Sequence, residues 1–277
     1  MKLSRTLAQV GVALVVLSGS AVTATAIDIM PGSTAGAATK LPTCNLSALA
    51  KHSELIMAAA DQRAIQAMKD RSQGLLAHRP IISSPTLVDT RIFNLNRMQE
   101  SNDGPVLVTC GRLNLVKGWD LVFDAFLKVR SEIPSARLYF VGDGEDRGKL
   151  EARIGAAGAG DSVFITGFLE SREVARRLNS AHLFLLGSHR EGWPTALVEA
   201  LACGLPAVVT DVSGASSLVE EGRNGFIAKD RDTTQFARKI IAALNLACPN
   251  PTSLQIGSRY SLEGWKANLS ELWEPLR

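Results

Sequence analysis

The sequence predicts an α/β protein built on a doubly wound parallel sheet, preceded by an incomplete N-terminal α/β portion. From about residue 104, short uninterrupted apolar runs alternate with amphipathic stretches of helix length. The apolar runs lack the alternation of a half-exposed strand, which indicates strands buried on both faces. Strands that alternate with helices form parallel sheets with right-handed crossovers. The predicted domain spans residues 104–245.

Six strand–helix units follow one another in this domain. The predicted strands are PVLVTCG, ARLYFVGDG, SVFITGFL, HLFLLGS, PAVVTD and GFIAK. The predicted helices are KGWDLVFDAFLKVRSEIP, EDRGKLEARIGAAG, SREVARRLNSA, PTALVEALACG, GASSLVEEG and DTTQFARKIIAALN. Ligands of such sheets bind beyond the carboxyl ends of the strands, so the turns after the first four strands are expected to face one shared crevice.

Residues 1–100 are too few for a second complete domain of this kind and are expected to form a smaller unit. A helical stretch with a short strand, ELIMAA, is predicted there, followed by a strand within RPIISSPTLVDTRIF. The first 27 residues permit three interpretations: a signal peptide, a weak membrane anchor, or a buried strand VALVVL followed by a loop. Residues 246–277 form a C-terminal tail.

The composition excludes several classes of protein. With 30 Lys and Arg against 27 Asp and Glu, the net charge is +3, which gives no reason to expect a nucleic-acid partner. The four cysteines form no CxxC pair, and no histidines cluster at metal-ligand spacing. This pattern predicts a reducing compartment, no disulfide framework and no metal site. The cysteines are Cys44, Cys110, Cys203 and Cys248.

One carboxylate stands out in the apolar helix PTALVEALACG. Glu199 lies in the middle of that helix, and no basic residue stands three or four positions away to pair with it. A buried, unpaired carboxylate costs several kcal/mol, so another group must satisfy it. A ligand diol that donates two hydrogen bonds would do so. The alternative is a core glutamate paired with a distant arginine.

The crevice also contains groups suited to phosphate. Pro194 favours the first turn of the helix, whose amino end directs free N–H groups at an anion. Arg112 and Lys117 follow the first strand, and together they can neutralise a diphosphate, unless they are ordinary surface cations. Glu191, at the crevice mouth, could serve a second polyol or be a solvated loop residue. This combination describes a nucleotide-sugar site.

The turn VGDGEDRG is a competing signal because it nearly copies a dinucleotide-binding loop after a strand. Asp143, Glu145 and Asp146 would crowd the position of a pyrophosphate with like charge. A nicotinamide oxidoreductase is therefore disfavoured, and the turn is expected to close one wall of the crevice.

The segment EGWPTALVE resembles the Glu-x7-Glu motif of retaining glycosyltransferases of the GT-B fold, family 4. GRLNLVKGWD, LYFVGDGEDRGKLE, TGF and ACGLPAVVTDVSGASSLVEEGRNGF are similar to the same family, in order, over residues 104–245. The resemblance implies that this domain is the Rossmann-like C-terminal half of a GT-B fold. It also implies that the tail crosses back onto the N-terminal portion.

The resemblance assigns roles to individual residues. Arg112 and Lys117 would bind the donor diphosphate, Glu199 the ribose hydroxyls, and Glu191 the donor sugar near the reacting centre. The remaining donor-binding positions would be Gly111, Phe168 beside the base, Gly192, Trp193, Pro194 and Thr195. No metal and no cofactor are expected.

The N-terminal portion departs from the family pattern. VALVVLSGSAV resembles a family strand, but Ser18 replaces a basic residue, Ala21 replaces an aspartate, and the Gly-rich first loop is absent. The sequence therefore leaves two functions open. One is retaining transfer from a nucleotide-sugar to a lipid-linked or polysaccharide acceptor, in the cytoplasm or at the inner face of the membrane. The other is a non-catalytic donor-binding remnant or partner subunit.

Overall fold

The structure is a computed structural model, and it describes residues 13–18, 21–28, 55–58, 65–66, 69–70, 81–83, 86–97 and 104–265. The chain divides into two units. One comprises Met1–Thr86 with Arg190–Trp193, and the other comprises Leu87–His189 with Pro194–Arg277. The second unit thus begins before residue 104, and it includes the tail that the sequence assigned separately.

The described part of the first unit contains a sheet of four strands: β1 (Ala13–Ser18), β2 (Ala21–Asp28), β3 (Leu55–Ala58) and β4 (Ile81–Ser83). Their order is β2-β1-β3-β4, with β1 antiparallel to both neighbours and β3 parallel to β4. Strand β1 agrees with the strand interpretation of VALVVL, whereas β2 occupies residues expected to form a loop. Two residues separate β1 from β2, and so short a connection allows only an antiparallel hairpin.

The second unit contains a six-stranded sheet, and its pairs are all parallel. Its strand order is β10-β9-β8-β5-β6-β7. The strands are β5 (Val106–Cys110), β6 (Arg137–Val141), β7 (Val163–Gly167), β8 (Leu183–Leu186), β9 (Ala207–Thr210) and β10 (Gly225–Ala228). All six predicted strands are confirmed. Their apolar runs are continuous because helices cover both faces, and β8 and β9 are buried at every position.

A helix follows each strand of this sheet, as the sequence predicts. A short 3-10 helix, η1 (Leu115–Lys117), precedes the first. The α-helices are α1 (Trp119–Glu132), α2 (Arg147–Ala156), α3 (Ser171–Ser180), α4 (Thr195–Ala202), α5 (Ala215–Leu218), α6 (Thr233–Ala243) and α7 (Pro251–Arg259).

The main hydrophobic cluster lies on one face of the sheet. There α1, α2 and α6 pack against strand side chains such as Leu107, Leu138 and Val208. Side chains alternate between the faces of a strand, so Val108 and Val209 point to the other face, where α3 and α4 lie against the sheet. The buried core therefore holds a layer of helices against each face of the sheet.

The described part of the tail belongs to this unit. Helix α7 packs on α4, and a Cβ at Gly257 would lie 2.6 Å from the Ala202 nitrogen. The hydroxyl of Ser253 donates to the Leu205 carbonyl at 2.7 Å. The predicted crossing of the tail, residues 246–277, onto the N-terminal portion stays a prediction, and residues 266–277 lie outside the described residues. In the part of the chain that the structure describes, no helix has the length and apolar character needed to cross a membrane.

Candidate functional site

The strand order places a binding crevice between β5 and β8. From β5 the chain winds outward through β6 and β7, then returns to β8 and winds the other way. Open sheets of this kind bind ligands at such a switch point, beyond the carboxyl ends of the strands. A depression lies there, lined by the ends of β5, β6 and β8 and by Arg112, Lys117 and Trp119.

The loop from residue 111 to residue 117, here called the cation loop, contributes both predicted cations. Gly111 has φ of 147°, a conformation that favours glycine, and its N–H donates to the Val141 carbonyl at 2.9 Å. Asn114 caps η1 by accepting from the Lys117 N–H at 3.0 Å. The structure thus brings Arg112 and Lys117 to one depression, as the sequence predicts.

The loop after β8 lies against the start of α1 through two glycines. A Cβ at Gly118 would lie 1.7 Å from the Gly187 carbonyl oxygen, and one at Gly187 would lie 2.5 Å from the Gly118 oxygen. Arg231 secures this contact, because it donates to the Gly187 carbonyl and pairs with Asp120. Sequence reasoning missed Arg231, whose partners are distant along the chain.

The amino end of α4 presents backbone N–H groups at the same edge of the sheet. Pro194 is the N-cap residue, and no side chain caps the helix. The Leu197 and Val198 amides both bond to the Pro194 carbonyl, whereas the described residues offer no bond to the Thr195 and Ala196 amides. Together with the helix dipole, these amides favour an anion. At the other end of α4, Gly204 has φ of 81°, the left-handed conformation in which helices commonly end.

Glu199 lies half-buried in α4, and no described residue donates a hydrogen bond to its carboxylate. Burial raises its pKa from 4.5 to about 7. Its charge adds to burial in raising the thiol pKa values of Cys203 and of Cys110, which lines the depression. The charge of Glu199 therefore acts on Cys110, the last residue of β5. The alternative of a core glutamate paired with an arginine finds no such partner among the described residues.

Phe168 follows β7 and is 78% exposed. Strand β6 lies between β7 and β5, so Phe168 is roughly 10 Å along the sheet edge from the cation loop, at about 4.8 Å per strand. An exposed aromatic ring at that distance from the phosphate groups could stack on a base.

The predicted catalytic residue, Glu191, lies on the loop between β8 and α4 with Gly192 and Trp193. Glu191 is half-buried, and the other two are buried. All three belong to the segment Arg190–Trp193, which counts with the first unit rather than with the sheet that carries the depression. Their roles toward a donor sugar remain predictions.

In the turn that follows β6, neighbouring cations pair with two of the three acidic side chains, whereas Glu145 is exposed. Asp143 pairs with Arg147 at 3.0 Å, and Asp146 is buried. Both carboxylates have lowered pKa values, that of Asp143 chiefly because the Gly144 amide bonds to it. Among the described residues, no three His, Cys, Asp or Glu side chains are grouped as metal ligands.

A family model described as glycosyl transferases group 1 matches residues 91–257. Among curated proteins, the chain is 30% identical over 163 residues to the mannosylfructose-phosphate synthase of Agrobacterium fabrum. It is 29% identical over 149 residues to the alpha-D-kanosaminyltransferase of Streptomyces kanamyceticus. These matches cover 53% and 54% of this chain but only 36% and 39% of the relatives, so the match spans little more than a third of their length.

Solved structures show the same fold. The pneumococcal O-GlcNAc transferase GtfA, in complex with UDP and GlcNAc, is 22% identical, with a TM-score of 0.66 over 81% of this chain and 46% of that one. The C-terminal domain of a group 1 glycosyl transferase from Francisella tularensis is 18% identical, with a TM-score of 0.57. That match covers 63% of this chain and 99% of the domain.

Proposed function

Because the chain belongs to the family of glycosyl transferases group 1, we propose that its crevice binds a nucleotide-sugar and that the protein transfers the sugar to an acceptor. The observation that carries this proposal is the convergence of two cations, an uncapped helix terminus and an unpartnered carboxylate at one edge of the sheet. No single phosphate or carbohydrate site needs all of these groups, whereas a nucleoside diphosphate uses each of them, and membership of the family supports an attached sugar.

The diphosphate would lie between the cation loop and the amino end of α4. Arg112 and Lys117 line the depression at the end of β5, and α4 follows the neighbouring strand β8. Cleavage of the bond to the sugar leaves negative charge on the departing diphosphate. Fixed cations and backbone N–H groups stabilise that charge without reorganising, which lowers the barrier.

The nucleoside would extend along the strand ends toward β7. Glu199 would accept hydrogen bonds from two ribose hydroxyls, and the exposed ring of Phe168 would lie beside the base. UDP is present in the GtfA complex and in that of Anabaena HepE, which also contains glucose. These neighbours make UDP a reasonable first donor nucleotide to test.

The finer features of the reaction are also proposals. The motif that carries Glu191 supports transfer with retention, in which this carboxylate contacts the donor sugar near its anomeric carbon. Two cations and a helix terminus supply the charge that a metal ion would otherwise supply, so we propose a metal-independent site. The acceptor is proposed to be lipid-linked or polysaccharide, and the location the cytoplasm, where nucleotide-sugars are available, including the inner face of the membrane.

Titration calorimetry tests donor binding. UDP or GDP should bind the unsubstituted chain, and Arg112→Ala should weaken binding by about 1.5–3 kcal/mol, the scale of a hydrogen bond to a charged group. Arg176→Ala, which removes an exposed arginine from α3, is the matched control and should leave binding unchanged. EDTA should not affect the titration. The absence of heat with both nucleotides would contradict the proposal.

A second function, donor binding without transfer, is favoured by one observation. The described strands of the first unit form a mixed sheet that begins with a hairpin, whereas the resemblance implies a parallel acceptor domain. Both functions predict UDP binding. They differ in turnover of a labelled nucleotide-sugar, because only the transferase would release the labelled sugar or pass it to an acceptor.

A further inference from the structure

The acidic turn, defined here as residues 142–146, is packed directly on the cation loop. The Leu113 N–H donates to the Asp143 carbonyl at 2.9 Å, and the Asp146 N–H donates to the Leu113 carbonyl at 3.0 Å. Leu113 is thus held on both sides by the turn. Leu113 directly follows Arg112, so these two bonds fix the backbone that carries the first cation.

The glycines of the acidic turn serve this packing. A Cβ at Gly142 would lie 2.0 Å from the Gly111 carbonyl oxygen, and one at Gly144 would lie 2.3 Å from the Leu113 carbonyl oxygen. No side chain fits at either position. The Gly-x-Gly spacing that resembles a dinucleotide loop therefore allows two loops to touch.

Asp146 extends the contact through its side chain, which is 5% exposed. Its Oδ2 accepts from the Trp119 indole Nε1 at 3.1 Å, and its Oδ1 accepts from the Lys149 Nζ at 2.6 Å. The bond from Lys149 lowers the pKa of the Asp146 carboxyl most and the bond from Trp119 lowers it next, and a bond from the Leu115 amide adds to the effect. Trp119 lines the same depression as Arg112 and Lys117. Asp146 thus joins the acidic turn, the cation loop and the wall of the depression.

We propose that Asp146 is a positioning residue for donor binding: by holding Trp119 and the cation loop, it sets the places of Arg112 and Lys117 around the diphosphate. This inference rests on the proposed function. Asp146 itself does not touch the donor, so its effect should appear only through the cations that it positions.

Two substitutions remove the contact in different ways. Both side-chain partners of Asp146 are donors. In Asp146→Asn the single amide oxygen can accept from only one of them, and the amide NH2 group, itself a donor, then faces the other. Trp119→Phe keeps an aromatic ring in the wall of the depression and removes only the indole donor. Glu145→Gln is the matched control, because it removes the same charge from the same turn at an exposed side chain.

The experiment is calorimetric titration of the full chain with UDP, completed as double-mutant cycles with Arg112→Ala and with Lys117→Ala. Asp146→Asn and Trp119→Phe should each raise the Kd about tenfold, the scale of one hydrogen bond to a charged group. Glu145→Gln should change the Kd less than about twofold. In the Arg112→Ala background and in the Lys117→Ala background, Asp146→Asn should cause a smaller further loss than in the unsubstituted chain, because residues that act through one another are not additive.

Amide hydrogen exchange gives a second readout that needs no ligand. Asp146→Asn and Trp119→Phe should speed exchange at Leu113 and Lys117 and leave the buried amides of β8 protected. Faster exchange throughout β8 in both variants would indicate general destabilisation and would overturn the inference.

The outcomes separate this inference from the proposed function. If the unsubstituted chain binds no nucleotide, both are overturned. If it binds UDP, and Asp146→Asn and Trp119→Phe bind as Glu145→Gln does, only the inference is overturned. An undiminished effect of Asp146→Asn in both the Arg112→Ala and the Lys117→Ala backgrounds would also overturn it, because the effect would then bypass both cations.

Discussion

At the scale of single residues, burial of the Glu199 carboxylate is unfavourable in the free protein, and a bound ligand that donates hydrogen bonds to it would offset that cost. Its carboxylate has no hydrogen-bond partner among the described residues, and burial raises its pKa to about 7. A charge in this position destabilises the free protein and is stabilised by a donor that brings two hydroxyl groups. The fold thus retains a carboxylate that its own packing does not use.

Glu199→Gln should separate nucleoside binding from phosphate binding. An amide accepts hydrogen bonds more weakly than a carboxylate, so we expect affinity for UDP to fall about tenfold. Pyrophosphate has no ribose, and its affinity should change less than about twofold. Calorimetry with the two ligands measures both effects. Equal losses for both ligands, together with a lower melting temperature, would assign Glu199 a structural role instead.

The same residue predicts a pH dependence of stability. The folded-state pKa of about 7 lies above the unfolded value of 4.5, so the unfolded chain ionises first as pH rises. The contribution of Glu199 to the free energy of unfolding is therefore fully present below pH 4.5 and is lost as pH rises through 7. Partial exposure limits the loss to about 2 kcal/mol.

Glu199→Gln should lack this loss. In melting curves between about pH 4.5 and 8.5, without ligand, the melting temperature of the variant relative to that of the unsubstituted protein should rise with pH. A difference that stays constant across this range would show that Glu199 does not titrate as described.

At the scale of elements, the paired glycines at the start of α1 and the end of β8 join the two halves of the crevice. We expect Gly187→Ala to force the loops apart, because its Cβ would lie 2.5 Å from the Gly118 oxygen and 2.8 Å from Val122 Cγ2. The substitution should cost about 1–3 kcal/mol of stability and weaken UDP binding. Chemical denaturation and calorimetry measure the two effects.

Gly155→Ala is the control for this experiment. Gly155 lies in α2, and a Cβ there meets nothing within 4 Å. Alanine favours helix over glycine, so this variant should gain about 0.5–1 kcal/mol and bind UDP normally. If Gly187→Ala were as stable as Gly155→Ala and bound UDP as well, the close contact of the two loops would be disproved.

The sequence predicted the elements of the second unit well because burial left a strong signal. Strands buried on both faces are continuous apolar runs. The motif residues Arg112 and Lys117 stand just after one such run, and Glu199 stands in the helix after another. Contacts between distant loops left no such signal. From the sequence, Asp146 reads as one more repulsive charge, because its partner, Trp119, lies 27 residues away and is recognisable only once β5 and β6 pair. Strand β2 was missed because AVTATAID alternates weakly.

At the scale of the whole molecule, donor binding and transfer are separate properties. Transfer requires an acceptor held in line with the anomeric carbon, and such positioning can contribute roughly 7–11 kcal/mol to lowering a barrier. The resemblance places acceptor binding in the N-terminal portion, where Ser18 and Ala21 stand in place of the family's charged residues. Because these substitutions weaken the hold on the proposed lipid-linked or polysaccharide acceptor, water becomes the main acceptor for the chain alone.

We therefore expect the purified chain to hydrolyse a labelled nucleotide-sugar slowly and to label membrane lipids little. Thin-layer separation of free sugar, donor and lipid product measures both reactions. Strong lipid labelling that Glu191→Ala abolishes would instead show that the N-terminal portion supports full transfer.

The central claim is that a nucleoside diphosphate binds at the switch point between β5 and β8. Amide NMR of isotopically labelled protein, titrated with UDP, tests the place of binding directly. We expect the largest shifts at Gly111, Arg112, Thr195 and Ala196, with smaller shifts at Phe168. Saturable shifts confined to other parts of the sheet, or no shifts at millimolar UDP, would contradict it.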